Sequence, residues 1–110
     1  MTGEAEIENE IRRKGLKAPR ITPEHIDSLI VAEVSGRASV LFSGPSHSSL
    51  ECLTICVLTL KNGFTIVGKS ACASPENYDA ELGHRIARDD ARRQIWALEG
   101  YKLRSDLAAQ

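Results

Sequence analysis

The stretch LTICVLTLKNGFTIVGKS, Leu53–Ser70, limits the fold of this chain more than any other. Two β-favouring runs, Thr54–Leu60 and Phe64–Ser70, flank Lys61-Asn62-Gly63. Asn-Gly supplies the two left-handed positions of a type I′ turn, whose twist matches that of the strands it joins. A two-residue loop of Asn62 and Gly63 predicts Leu60 opposite Thr65, Leu58 opposite Val67 and Cys56 opposite Lys69. Side chains alternate along a strand, so one face would carry Cys56, Leu58, Leu60 and Val67, and the other Ile55, Val57, Phe64 and Ile66. Both faces are apolar, whereas a half-solvated sheet shows one polar face. One helix can cover one face, and the second needs the N-terminal helix or another subunit. Gly68 reads either as a point of close backbone approach or as an ordinary strand glycine.

The chain that follows reads as one long helix. Ser74-Pro75-Glu76-Asn77 predicts its start, with a hydroxyl cap, a proline where the missing N–H costs nothing, and acids at the positive end of the dipole. Tyr78, Leu82, Ile86, Ala87, Ala91, Ile95 and Leu98 recur at helical spacing as one stripe, and Trp96 at its edge is expected to be largely buried. Ala87 and Ala91 allow close approach. Arg85, Arg88, Asp89, Arg92 and Arg93 form the opposite side, with Glu81 spaced to pair with Arg85 and Asp89 with Arg93. Gly83 inside the pattern implies a packing reason or a bend, and Gly100 reads as the stop.

Upstream, residues 1–20 turn from acidic to basic and read as a partly flexible segment, with a charged helix over Glu4–Lys14 and disorder both open. Residues 21–110 read as a single domain. Thr22-Pro23-Glu24 repeats the cap-then-proline start, and Ile26, Leu29, Ile30 and Val34 predict a second helical stripe. Ser35–Ser49 is punctuated by Gly36, Gly44 and Pro45, with a short third strand allowed at Ala38–Phe42. Val40, Leu41 and Phe42 are too apolar for free loop and are expected to cover an edge or meet a partner. The fold class is therefore α+β: an antiparallel hairpin, with room for a short third strand, packed against a long C-terminal helix and a shorter N-terminal one.

Fourteen basic and 15 acidic residues interleave to a net charge of −1, which argues against a nucleic-acid surface. No run is long and apolar enough to span a membrane, and three cysteines fit free thiols in a reducing cytoplasm. Cys52 and Cys56 in one strand would stand about 13 Å apart, too far to share a metal, and His25, His47 and His84 are scattered. No metal, cofactor or catalytic residue is expected. Cys72, read as lying just before a helix N-terminus, is the one thiol with a chemical argument, and it lacks a nearby base. Lys69, Asn77 and Arg85 gather near the expected hairpin-to-helix junction, where free amides could hold an anion.

Leu60-Lys61-Asn62-Gly63-Phe64, Gly68, Ser70-Ala71-Cys72 and Asn77-Tyr78-Asp79 carry a resemblance to a known family. It continues through Gly83–Ala91 and Trp96-Ala97-Leu98-Glu99-Gly100-Tyr101, and includes Ile21-Thr22-Pro23-Glu24 upstream. The chain resembles the gene-49/gene-66 family of small tailed-phage proteins and departs from it between Val34 and Ser49. The resemblance implies a phage or prophage accessory protein made in the bacterial host cytoplasm, and it transfers no catalytic residue. The residues add the expectation of a homo-oligomer, and the resemblance, with no enzyme signature beside it, implies action by binding a host protein, with anti-defence action as one form of it. Lys69, Asn77, Arg85 and Val40–Phe42 would form that surface. The alternatives are sequestration of a small, nucleotide-like anionic metabolite and, last, a cysteine-dependent enzyme.

Overall fold

The computed structural model describes residues 2–110, and Met1 of the acidic opening segment lies outside them. The elements are α1 (Thr2–Arg13), α2 (Pro23–Leu29), β1 (Ile30–Arg37), α3 (Ala38–Leu41), β2 (Leu53–Leu60), β3 (Thr65–Ala71) and α4 (Ala80–Ala108). Short 3-10 turns occupy Ser48–Cys52 and Pro75–Asn77. The strands form one antiparallel sheet in the order β1-β2-β3, and α4 lies across one of its faces. The α+β class is as expected, with a third strand completing the hairpin. The molecule is 53 Å long with a radius of gyration of 17.2 Å; a compact chain of about this size would have about 13 Å. The 29 residues of α4 account for about 43 Å of that length, since a helix rises about 1.5 Å per residue.

The hairpin turn corrects the expected register. Gly63 has φ +88°, but among the described residues none other than glycine has a positive φ. Asn62 is therefore not left-handed, and the turn is not type I′. Gly63 N–H donates to Leu60 O and Leu60 N–H to Phe64 O, which makes Lys61-Asn62-Gly63 a three-residue loop ending in a left-handed glycine. Asn62 instead accepts from Phe64 N–H through its side-chain oxygen at 2.9 Å. One extra loop residue shifts β3 by one position. Leu58 faces Ile66, Val57 faces Val67, Cys56 faces Gly68 and Ile55 faces Lys69. The face towards α4 thus carries Cys56, Leu58, Leu60 and Ile66, while Val67 turns outward with Ile55 and Val57.

The core is the seam between that inner face and α4. Cys56, Leu58, Leu60 and Ile66 meet Ala87, Ala91 and Ile95, with Ile26 of α2 closing one end. Gly68 is the closest point: a Cβ built there would stand 2.1 Å from Ala87 O and 2.8 Å from Ala91 Cβ. A glycine opposite two alanines lets strand and helix backbones touch, so Gly68 is a close-approach glycine. Gly83 has the packing reason its position implied, because a Cβ there would meet Thr54 Oγ1 at 2.6 Å.

Several boundaries differ from expectation. The second helix stops at Leu29, and Ile30–Val34, read as its continuation, is the third strand. Its β-branched residues suit a strand, and Val31 forms a bulge where the pairing with β2 slips between Ile30 and Ala32. Ala38–Leu41 is one helical turn rather than a strand. Ser74-Pro75 opens only a 3-10 turn; α4 starts at Ala80, capped by Asp79, whose carboxylate accepts from Leu82 N–H. Gly100 does not stop α4, which continues to Ala108. Residues 2–13 form a helix, followed by Gly15 at φ +67°.

Candidate functional site

The outer face of the sheet is exposed along its two flanking strands. Val34 on β1 and Val67 on β3 are 67% and 55% exposed, and Ile55 and Val57 between them are only partly covered. At one end Leu41 folds back over the backbone of Gly36, where its Cδ2 would lie 2.8 Å from an added Cβ. Val40, Leu41 and Phe42 are 78%, 50% and 59% exposed. Leu41 joins α3 to the apolar outer face, and Lys69, paired with Ile55, places the charged margin on the same face. Lys69 and Leu41 therefore share one surface.

Asn77 and Arg85 lie elsewhere. Arg85 is exposed on α4, the helix that covers the opposite side of the sheet. Asn77 lines a cavity of about 90 Å³ with Cys52, Cys72, Tyr78 and Gly83, and neither Lys69 nor Arg85 is in its wall. The later start of α4 separates these residues, because eight residues intervene between β3 and the helix.

The two edges of the sheet are treated differently. On β3, Asp90 accepts from Lys69 N–H at 2.9 Å and Gln94 Nε2 donates to Val67 O at 2.8 Å. These two α4 side chains consume edge groups that could otherwise pair with another strand. Among the described residues β1 pairs only with β2, so its other edge is open beside exposed Val31.

Helix α1 is held by ion pairs rather than by packing. Arg92, nearly buried, bonds both oxygens of Glu4 at 2.7 and 2.9 Å and reaches Asp27 at 2.8 Å. Its guanidinium is raised further above its already high range, mainly by the Glu4 hydrogen bonds. Arg20 likewise holds both oxygens of Glu8, at 2.6 and 3.0 Å, and that bonding keeps the Glu8 carboxyl below its usual range. Between α1 and the rest of the domain runs a groove of about 580 Å³, lined by Ile7 and Ile11 of α1 and by Ile21, Pro23 and Trp96. Trp96 is part-buried and packs against the edge of the core. Helical spacing puts Arg92 on the solvent side of α4; the long-range pairing with Glu4 has no local signal. Arg93 pairs with Asp90 rather than Asp89.

One further polar cluster links β1 to α4. Ser35 Oγ lies 2.6 Å from His84 Nδ1, His84 Nε2 is 3.3 Å from Glu33, and Arg88 Nε donates to the same carboxylate at 3.0 Å. A serine relay places the hydroxyl on Nε2 and the carboxylate on Nδ1; the order here is reversed. The cluster ties the inner face of the edge strand to the helix. Cys72 does not lie at the start of α4, so the helix-dipole argument for its thiol does not hold. No group of three metal-ligating side chains occurs among the described residues, and none of their helices is long and apolar enough to cross a membrane.

These features define a small α+β domain with one sheet face packed and one apolar face open. The chain belongs to the Phage protein (N4 Gp49/phage Sf6 gene 66) family, whose profile matches residues 21–107. The match begins after α1, so the ion-paired helix lies outside it. No curated protein and no solved structure matches the chain.

Proposed function

We propose that this phage or prophage accessory protein works by binding, in the host cytoplasm, as a homo-oligomer that engages a host protein, with a defence component as a fitting target. The observation that carries this reading is the exposed Val40-Leu41-Phe42 turn, continuous through Leu41 with the uncovered outer face. Three strands of about seven residues present roughly 330 Å² in projection, the size of the largest apolar patch on an ordinary monomer, which is often functional. A stable interface takes about 800 Å² per partner. The sheet face therefore needs Leu41 at its margin and the open β1 edge as well to approach that size. In this reading the sheet face receives a second copy, and Val40 and Phe42 at its margin meet the host partner.

Native mass spectrometry of protein purified from phage-infected host cells tests both parts. The parent should retain a host protein at fixed stoichiometry on an oligomeric core. Val40→Ser/Phe42→Ser should keep the oligomer and lose the host protein, and unchanged retention would overturn the proposed surface. Recovery of a small nucleotide-like anion in place of a protein, lost on Lys69→Ala/Arg85→Ala, would replace this reading with metabolite sequestration.

A further inference from the structure

Cys52 closes the 3-10 turn immediately before β2, and Cys72 follows the last residue of β3. The ladder pairs Leu53 with Ala71, so one step further brings the two cysteines opposite each other. Cys72 N–H donates to Cys52 O at 3.0 Å, and Cys72 Sγ lies 3.6 Å from that oxygen. The first of these is one of the two bonds of a directly opposed antiparallel pair, whose Cα atoms stand about 4.5–5.5 Å apart, inside the roughly 4.4–6.8 Å span that a disulfide bridges. Both thiols are free and part-exposed, and both line the cavity beside Asn77. Cys56 is fully buried against α4 and competes with neither.

We infer that Cys52 and Cys72 are an oxidisable thiol pair that closes a cross-strand disulfide by exchange with a low-molecular-weight disulfide. The thiolate of Cys72 attacks one sulfur of the small disulfide and releases the first small thiolate. Cys52 then gives up its proton to solvent, and its sulfur attacks the Cys72 sulfur, releasing the second. Two protein thiols are oxidised and one small disulfide is reduced to two thiols. The order follows from environment: burial first, and then the neighbouring Cys72 thiol, push the Cys52 thiol above its ordinary range, so Cys52 is the poorer initial nucleophile. The bond would fasten the open end of the hairpin, the end that carries the wall of the Asn77 cavity.

The test is titration of the native protein with oxidised glutathione, read by intact mass and peptide mapping. Oxidation should remove the mass of two hydrogens, give a Cys52–Cys72 linked peptide, leave Cys56 free, and be reversed by dithiothreitol. Cys56→Ser should behave like the parent, whereas Cys52→Ser should stop at a glutathione adduct on Cys72. Oxidation should also raise the thermal midpoint by several degrees, because it closes the hairpin loop in the unfolded chain. Glutathione adducts on both cysteines without an internal link, links between chains, or no reaction while circular dichroism reports a folded protein would each overturn it.

Discussion

The two faces of this sheet are built from the same strands and end differently. On the inner face side chains shrink where the helix crosses: Gly68 lies under Ala87 and Ala91, and backbone meets backbone. On the outer face Val34, Ile55, Val57 and Val67 keep full-sized, β-branched side chains; Val34 and Val67 stay exposed, and α3 reaches this face at one end through Leu41. Small residues mark a contact already made within the chain. Large apolar ones left bare mark a contact that the chain does not make with itself. The sheet edges repeat the lesson, with β3 latched by Asp90 and Gln94 and β1 open.

The largest effect should come from breaking the inner contact. Gly68→Val drives a side chain into the α4 backbone and should cost about 3 kcal/mol or more in chemical denaturation. Val67→Ala, one residue away on the outer face, should change unfolding of the dilute protein by less than about 0.5 kcal/mol. Equal losses from the two would erase the distinction between the faces. Trp96→Ala removes a half-buried ring from the edge of the core and should cost about 2 kcal/mol, less than the full burial value. Its native emission should lie between those of buried and free indole. Gly63→Ala forces a left-handed backbone on a side chain and should cost about 1 kcal/mol. Asn62→Ala, which needs no left-handed backbone, should cost less, and a reversed ranking would restore the type I′ turn.

The hairpin, the long helix and the cap at Thr22, whose hydroxyl accepts from His25 N–H, were legible because each has a local signature. The register was not, since Asn-Gly serves equally in a two-residue loop or at the end of a three-residue one. That single ambiguity hid the thiol pair: Cys52 and Cys72 are equidistant from Asn62 and face each other only when Lys61 joins the loop. Ile26, Leu29, Ile30 and Val34 fit a helical stripe, and only the need of β2 for a second neighbour turns Ile30–Arg37 into strand. Val40–Phe42 was recognisable as out of place in a free loop. The gathering of Lys69, Asn77 and Arg85 rested on a helix start at Ser74, and Asp79 moved it.

The smallest expected effect concerns α1. Arg20 lowers the folded-state pKa of Glu8 below its ordinary value of 4.5, so the pair stabilises the docked helix fully above that value and loses its contribution as pH falls through the lowered one. Trp96 emission should shift to the red in that acid window, with far-ultraviolet circular dichroism little changed. Glu8→Gln should show the shifted emission already at neutral pH. An acid-insensitive Trp96 would mean that the groove does not open with this pair.

The outer face is the centre of the account, and light scattering across micromolar concentrations tests it most directly. The parent should give the mass of more than one protomer. Val57→Glu/Val67→Glu should give a monomer with the parent's circular dichroism, because the charges enter only the outer face. A parent that scatters as a monomer throughout that range would contradict the claim that a second copy covers this face.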